Sequence, residues 1–516
     1  MQASVVILSL IAVFSLRCKP SFRNESHKNI SEASISKGEK LAEHYCQSCH
    51  QLPDPSLLDA KTWETGALPA MGSQLGISSY GGQYFKHQMK TGKLDSTTNK
   101  ASTSLSISEW LNIVDYYTAT SPDELPGQSR SEKIAMQLPQ FEPMLPKLDR
   151  RSSQSCFLKI REEDEARIVV SDAITFKTYF LNEQLAAIDS LITNGPVVDL
   201  DFVENDQAIA CNVGLLGPND DTLGVALNLT NKSGKWKADS SKLLSGLRRP
   251  IQISAADLND DGKNDLVVCE FGHHKGGLSW MENLGSGNFK KHALSLLPGA
   301  IKAYILDYNK DGKQDIIALF AQGNERISLF SNQGNGSFEE KELLNFPSVY
   351  GSSYFELADI NKDGNLDILY TCGDNADFTP ILKPYHGVYI FLNKGPDQFE
   401  QSYFYPIHGC YKAMATDFDN DGDMDIATIA YFADSKTQPE EGFVYFENDG
   451  NLKFKPYTSP KLEVGRWITM DIGDFNQDGW PDIVLGNFVQ PSIFANPAID
   501  WAKAKPIMVL KNMGKR

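Results

Sequence analysis

Two groups of residues in this chain have the types and spacing to do chemistry. The first is Cys46-Gln-Ser-Cys49-His50, which puts two thiols and an imidazole within five residues. The second is a nine-residue pattern, Asp-x-Asp/Asn-x-Asp-Gly-x-x-Asp, that occurs five times. Thiols and imidazole suit soft or borderline metal centres, whereas clustered carboxylates suit hard cations.

The acidic copies place oxygen donors at their first, third, fifth and ninth positions. They are Asp257, Asn259, Asp261 and Asp265; Asp307, Asn309, Asp311 and Asp315; Asp359, Asn361, Asp363 and Asp367; Asp417, Asp419, Asp421 and Asp425; and Asp474, Asn476, Asp478 and Asp482. Successive copies start 50, 52, 58 and 57 residues apart. A calcium ion takes six to eight oxygens, and the Gly at position six permits the tight turn that brings them together. Without a cation the carboxylates repel one another across a few ångströms. An EF-hand needs a Glu at position twelve, but the first copy has Val268 there, inside an apolar run. Magnesium fits less well because it keeps several waters. About five Ca2+ are therefore expected, and they would bring the formal charge of -17 to about -7.

For Cys46 and Cys49, a thioredoxin-like pair wants a βαβ context, and a zinc site wants a second Cys or His pair nearby; neither is present. Cys-x-x-Cys-His reads as c-type haem attachment, with Cys46 and Cys49 as thioethers and His50 as the proximal iron ligand. Residues 36–45 read as a helix leading into the motif. Residues 106–117 read as a second helix, opened by a Ser106 to Glu109 capping box and carrying Trp110, Ile113, Val114 and Tyr117 at helical spacing. Helix, motif and later helix together resemble a small monohaem cytochrome c over residues 35–121. The distal ligand is expected to be Met71, in a Pro- and Gly-framed loop, with Met89 as alternative and His87 as a third candidate.

The apolar stretch at 5–14 reads as a signal-peptide core, so residues 1–18 are expected to direct export. Cys18 directly follows it, which resembles a bacterial lipoprotein signal and implies lipidation of Cys18, residues 19–34 as a tether, and a periplasmic or outer-membrane-anchored protein. The net charge of -17 disfavours a nucleic-acid partner. Residues 122–150 contain Pro122, Pro126, Pro139, Pro143 and Pro146 and read as a linker.

Each acidic loop is followed by a β-rich run such as LVVCEF, an aromatic strand such as LSWMENLG, a Gly/Asn turn and a further strand. Four strands per repeat make one propeller blade. The pattern resembles the FG-GAP/VCBS repeats of integrin-type propellers over residues 151–516. Two degenerate blades at 151–197 and 198–248 raise the count to seven, with a strand near 156–160 expected to close the ring. The expected fold is a small all-α cytochrome c domain followed by an all-β, seven-bladed β-propeller.

The ring face opposite the acidic loops is expected to hold a basic, aromatic pocket for an anionic or sugar-like ligand. Its candidates are Arg249, His273, Lys302, Tyr354, Lys412 and Arg466, with Gln252 and Thr469 at positions equivalent to Lys302, Tyr354 and Lys412. Three functions follow as alternatives: haem c electron transfer with a docked redox partner protein, a haem-linked oxidoreductase or lyase for a carbohydrate-like substrate, and calcium-dependent adhesion. The Trp-centred blade motifs of quinoprotein dehydrogenases are not repeated here. The cysteines at 156, 211, 269, 372 and 410 read mostly as small buried hydrophobes.

Overall fold

The computed structural model describes residues 23–77, 105–146, 153–162, 164–376, 379–490 and 495–514. Cys18, His87 and Met89 lie outside the described residues. No helix among the described residues is long and apolar enough to cross a membrane.

The N-terminal helix Glu32–Tyr45 starts at Ser31, whose side chain accepts from the Ser34 N–H, and it ends where the Cys46 N–H donates to Ala42. The helix Ile107–Thr120 opens with the Ser106 and Glu109 capping box in place. These helices cross at Gly38, where an added Cβ would lie 1.8 Å from the Asn112 carbonyl oxygen. Trp110, Ile113 and Tyr117 fill the core below the crossing. Met71 lies in the short helix Leu68–Gln74 rather than in a loop. Pro69 stands near the start of that helix, directly after the π turn Trp63–Ala67 that runs into it. Gly72 packs under the Trp110 ring, 3.0 Å from where a Cβ would stand.

Seven four-stranded sheets form the rest of the chain. The two degenerate blades run from Ser155–Ile160 to Ala187–Ile192 and from Val197–Glu204 to Lys235–Leu247. After each acidic loop comes a strand buried at every position: Asp265–Glu270, Asp315–Phe320, Asp367–Cys372, Asp425–Ala430 and Asp482–Asn487. Each is covered on both faces by neighbouring blades, which is why these runs are continuous in apolar residues rather than alternating.

Ring closure differs from the expectation. Ser155–Ile160 is the innermost strand of the first blade, and the strand that completes the seventh is Phe141–Met144. It pairs antiparallel with Ile507–Asn512, Phe141 opposite Asn512. Phe141 packs edge-on against Phe418 and Tyr445, and Pro143 is tolerated because the strand is an edge. The stretch read as a linker thus lies along three blades. Gln128 donates to the carbonyls of Lys383 and His386, Arg130 pairs with buried Glu441, and Ala135 bridges to Tyr457.

The helical domain sits on the ring face opposite the acidic loops. Val349 belongs to its apolar core, Ile381 and Tyr385 pack against it, and the Tyr385 hydroxyl donates to the Leu57 carbonyl at 3.0 Å.

Candidate functional sites

Cys46 ends the N-terminal helix half-buried, while Cys49 is exposed and His50 partly so. Burial, reinforced by the neighbouring Cys49, pushes the Cys46 thiol up to about 11. Both cysteines are free. His50 Nδ1 lies 2.8 Å from the Gln51 carbonyl oxygen, which can only accept, so Nδ1 is the donor there and Nε2 is the ring nitrogen turned away from that contact. Tyr45, Cys46, Leu52, Leu57, Met71 and Leu75 form a half-covered apolar rim on the helical core. In that core Trp110 Nε1 is buried without a hydrogen-bond partner. Two free thiols, a neighbouring imidazole and incompletely covered apolar side chains are groups that would fit a thioether-linked haem.

The five acidic loops share one backbone conformation. Position four is left-handed in each, at Asp260, Lys310, Lys362, Asn420 and Gln477, and so is the following glycine at position six. The leading Asp accepts two main-chain N–H groups, as Asp257 does from Asp261 at 3.2 Å and Gly262 at 2.8 Å. The ninth Asp is buried and accepts the N–H of an asparagine on the next strand. The pairs are Asp265 with Asn283, Asp315 with Asn332, Asp367 with Asn393, Asp425 with Asn448, and Asp482 with Asn512. These asparagines were missed as site residues, although each stands in an Asn-x-Gly turn visible in the sequence. Each also accepts the N–H of its glycine.

Asp417, Asp419 and Asp425 bring carboxylate oxygens within 4.8 Å of one another. In the first two loops a lysine pairs with the fifth position instead, Lys263 with Asp261 at 2.7 Å and Lys313 with Asp311 at 2.9 Å. Burial pushes Asp425 and Asp482 up to about 7, and Asp478 and Asp474 add to the effect at Asp482. Such a donor set fits a hard divalent cation, whose charge favours the ionised carboxylates that burial disfavours.

On the ring axis the inner strands are stapled to one another all the way round. Cys156 Sγ donates to the Val197 carbonyl, Asp199 accepts from Ile253, Gln252 accepts from Ala303, and Tyr304 donates to Phe355. Glu356 accepts from Ala415, Lys412 donates to Met470 at 2.7 Å, and Asp471 accepts from Ile160. Gln252 and Lys412, expected to face a ligand, each carry one of these links. The Lys412 ammonium also sits 4.7 Å above the Tyr354 ring, and Lys302 lies 4.9 Å above that of Tyr304.

The axis is of mixed charge rather than basic, because Asp199, Asp201, Glu356 and Asp471 stand among Lys159, Lys302 and Lys412. Burial lowers Lys412 to about 8, against the pull of Asp471, and raises Glu356 to about 7. The other expected ligand contacts hold loops. Arg249 donates to the carbonyls of Leu216 and Gly272 at 3.0 and 3.1 Å. Arg466 donates to those of Tyr431 and Gln490. The N–H of His273 donates to Asp220 at 3.0 Å. Cys211, Cys269, Cys372 and Cys410 are buried and Cys156 is half-buried.

Residues 257–318 and 307–370 match the FG-GAP-like repeat family, and residues 411–446 match the FG-GAP repeat family. No curated protein matches the chain. Among solved structures, the N-terminal domain of Nup159 is 12% identical, with a TM-score of 0.39, 74% of this chain and 99% of that chain covered. A complex of S. cerevisiae Dbp5 with Nup159, Gle1, IP6 and ADP gives 12% identity, a TM-score of 0.39 and coverage of 75% and 99%. The periplasmic gluconolactonase PpgL of Pseudomonas aeruginosa gives 15%, 0.39, and coverage of 65% and 88%. Repeat matches and sheet topology agree: this chain carries FG-GAP repeats built into a seven-bladed β-propeller.

Proposed function

We propose that this chain is an exported haem c electron-transfer protein whose calcium-binding propeller docks a redox partner protein. The observation that carries the reading is the Cys46, Cys49 and His50 segment at the end of a capped helix, beside a half-covered apolar rim. Cys46 and Cys49 would anchor the group covalently, His50 Nε2 would ligate its iron, and Met71, or alternatively Met89, would supply the distal ligand. A haem c held there supplies one-electron exchange at the protein surface. Met71 packs against the same apolar cluster as Cys46, which supports its choice.

The acidic loops would hold about five Ca2+ through the first, third, fifth and ninth positions, fixing the turns that join inner to second strands. Cys18 would carry the lipid that tethers the exported protein. A second reading, a calcium-dependent binding module, is favoured by the FG-GAP repeats themselves.

Protein matured in a periplasm tests the proposal by its visible spectrum and metal content. A Soret band, calcium, and reduction by a redox protein support it. Reduction by a carbohydrate-like small molecule replaces it with the oxidoreductase alternative. Glycan binding without a Soret band favours the binding module.

A further inference from the structure

The segment that follows His50 is held in an unusual way. Every second main-chain carbonyl from residue 51 to 57 accepts a hydrogen bond from a side chain. The Gln51 oxygen faces His50 Nδ1 at 2.8 Å. The Pro53 oxygen accepts from the Tyr117 hydroxyl at 3.2 Å. The Pro55 oxygen accepts from Trp63 Nε1 at 2.8 Å and from the Ser121 hydroxyl at 2.9 Å. The Leu57 oxygen accepts from the Tyr385 hydroxyl at 3.0 Å. The first donors all belong to the helical domain, whereas Tyr385 belongs to the propeller.

Tyr385 is itself firmly placed. Its ring stacks on Tyr350 at 4.6 Å, and its carbonyl accepts from Cys372 Sγ and from the Tyr389 hydroxyl. Its hydroxyl also reaches the Val349 carbonyl at 3.3 Å, beside the Val349 side chain that enters the helical core. Between His50 and Leu57 stand Pro53 and Pro55, whose fixed φ angles leave the backbone few ways to absorb a displacement. With their carbonyls anchored, residues 50–57 form one stiff segment, so the Tyr385 contact at Leu57 constrains the same segment that carries His50.

We infer that Tyr385 is a positioning residue for His50: the propeller braces the imidazole's supporting segment and so sets how firmly His50 holds a metal. The inference rests on the haem reading above. Tyr385 acts through this segment on the Gln51 carbonyl, which is the outer-shell partner of His50. Outer-shell partners of a metal ligand typically change its hold by 10–100-fold. They act through ligand orientation, and here the orientation is shared between two domains.

The test uses the full chain loaded with haem, comparing Tyr385→Phe, Tyr117→Phe and the control Tyr350→Phe. An acid titration of the low-spin spectrum reads His50 against protons, which compete for the same nitrogen. The inference expects Tyr385→Phe and Tyr117→Phe to keep the Soret band and the far-ultraviolet dichroism. It expects both to raise the acid midpoint by about one pH unit, a roughly tenfold weaker hold, and to move the reduction potential at neutral pH. Tyr350→Phe should leave both readings in place. A Soret band with midpoint and potential unmoved in Tyr385→Phe overturns the inference alone. Absence of the band from the unsubstituted protein overturns the haem reading and this inference together.

Discussion

The Asn448 main-chain N–H donates to Asp425 Oδ1 at 2.8 Å, while the Tyr445 hydroxyl donates to Asp425 Oδ2 at 2.9 Å. The last carboxylate of the fourth acidic loop is thus held by the next strand outward in the same blade. Asn448 Nδ2 closes the arrangement on the Met424 carbonyl at 3.0 Å. An acidic loop and its Asn-x-Gly turn are one unit. Replacing Asn448 by Ala should cost about 1–3 kcal/mol, the range for leaving buried polar groups unpaired. Urea unfolding would measure it, and calcium affinity should fall in the same variant, by isothermal titration calorimetry.

Calcium should also change how stability responds to pH. Asp425 and Asp482 are raised to about 7 in the fold, above their unfolded value near 3.9. In that window the metal-free folded chain binds more protons than the unfolded one, so these groups lose it stability as pH rises from about 4 to 7. Bound cation keeps both carboxylates ionised and removes this contribution. The calcium-dependent gain in Tm should therefore be larger at pH 8 than at pH 5, measured by calorimetry with and without chelator.

The closing strap gives a further prediction. Arg130 pairs with Glu441, which is fully buried and also faces His408 Nδ1 at 3.0 Å. Arg130→Met leaves that carboxylate with less compensation, and losing one partner of a buried pair costs about 3–5 kcal/mol. Limited proteolysis should then cut between residues 122 and 144 faster than in the unsubstituted chain, whereas Lys503→Met at an exposed pair should not change the rate.

Gly38 is the contact point of the two long helices of the helical domain. Gly38→Ala sets a methyl group 1.8 Å from the Asn112 carbonyl oxygen, so the helices must separate. Overpacking of this kind costs about 1–3 kcal/mol or more. The expected outcome is a lower Tm for the helical transition in far-ultraviolet dichroism, with the propeller transition unmoved.

Much of this fold was readable because one chemistry recurs. Five loops with the same acidic pattern and the same left-handed turn keep the same offsets, and the strands between them inherit a common length. Ring closure was misplaced for a local reason: Glu142 and Pro143 leave residues 141–144 reading as part of the Pro-rich linker, whereas 155–160 reads as a short apolar strand, and nothing local reveals which will meet a free edge near residue 512. Met71 was misread because Pro69 and Gly72 are loop signals on their own. Only the fold shows Pro69 near the start of a helix and Gly72 beneath Trp110. The axial carboxylates were missed because Glu356 and Asp471 stand on strands otherwise rich in apolar residues, three places before each acidic loop. Their role, accepting the N–H of the next blade, exists only once the ring is closed.

The seam at Phe141 and Asn512 also bears on manufacture. Two strands far apart in the chain must find each other, so the circle stays unsealed until residues 507–512 have been made. Long-range closure of this sort is entropically slow. Until then the seventh blade presents a raw edge, and removing the strand Ile507–Asn512 should yield an open, self-associating product rather than a smaller ring.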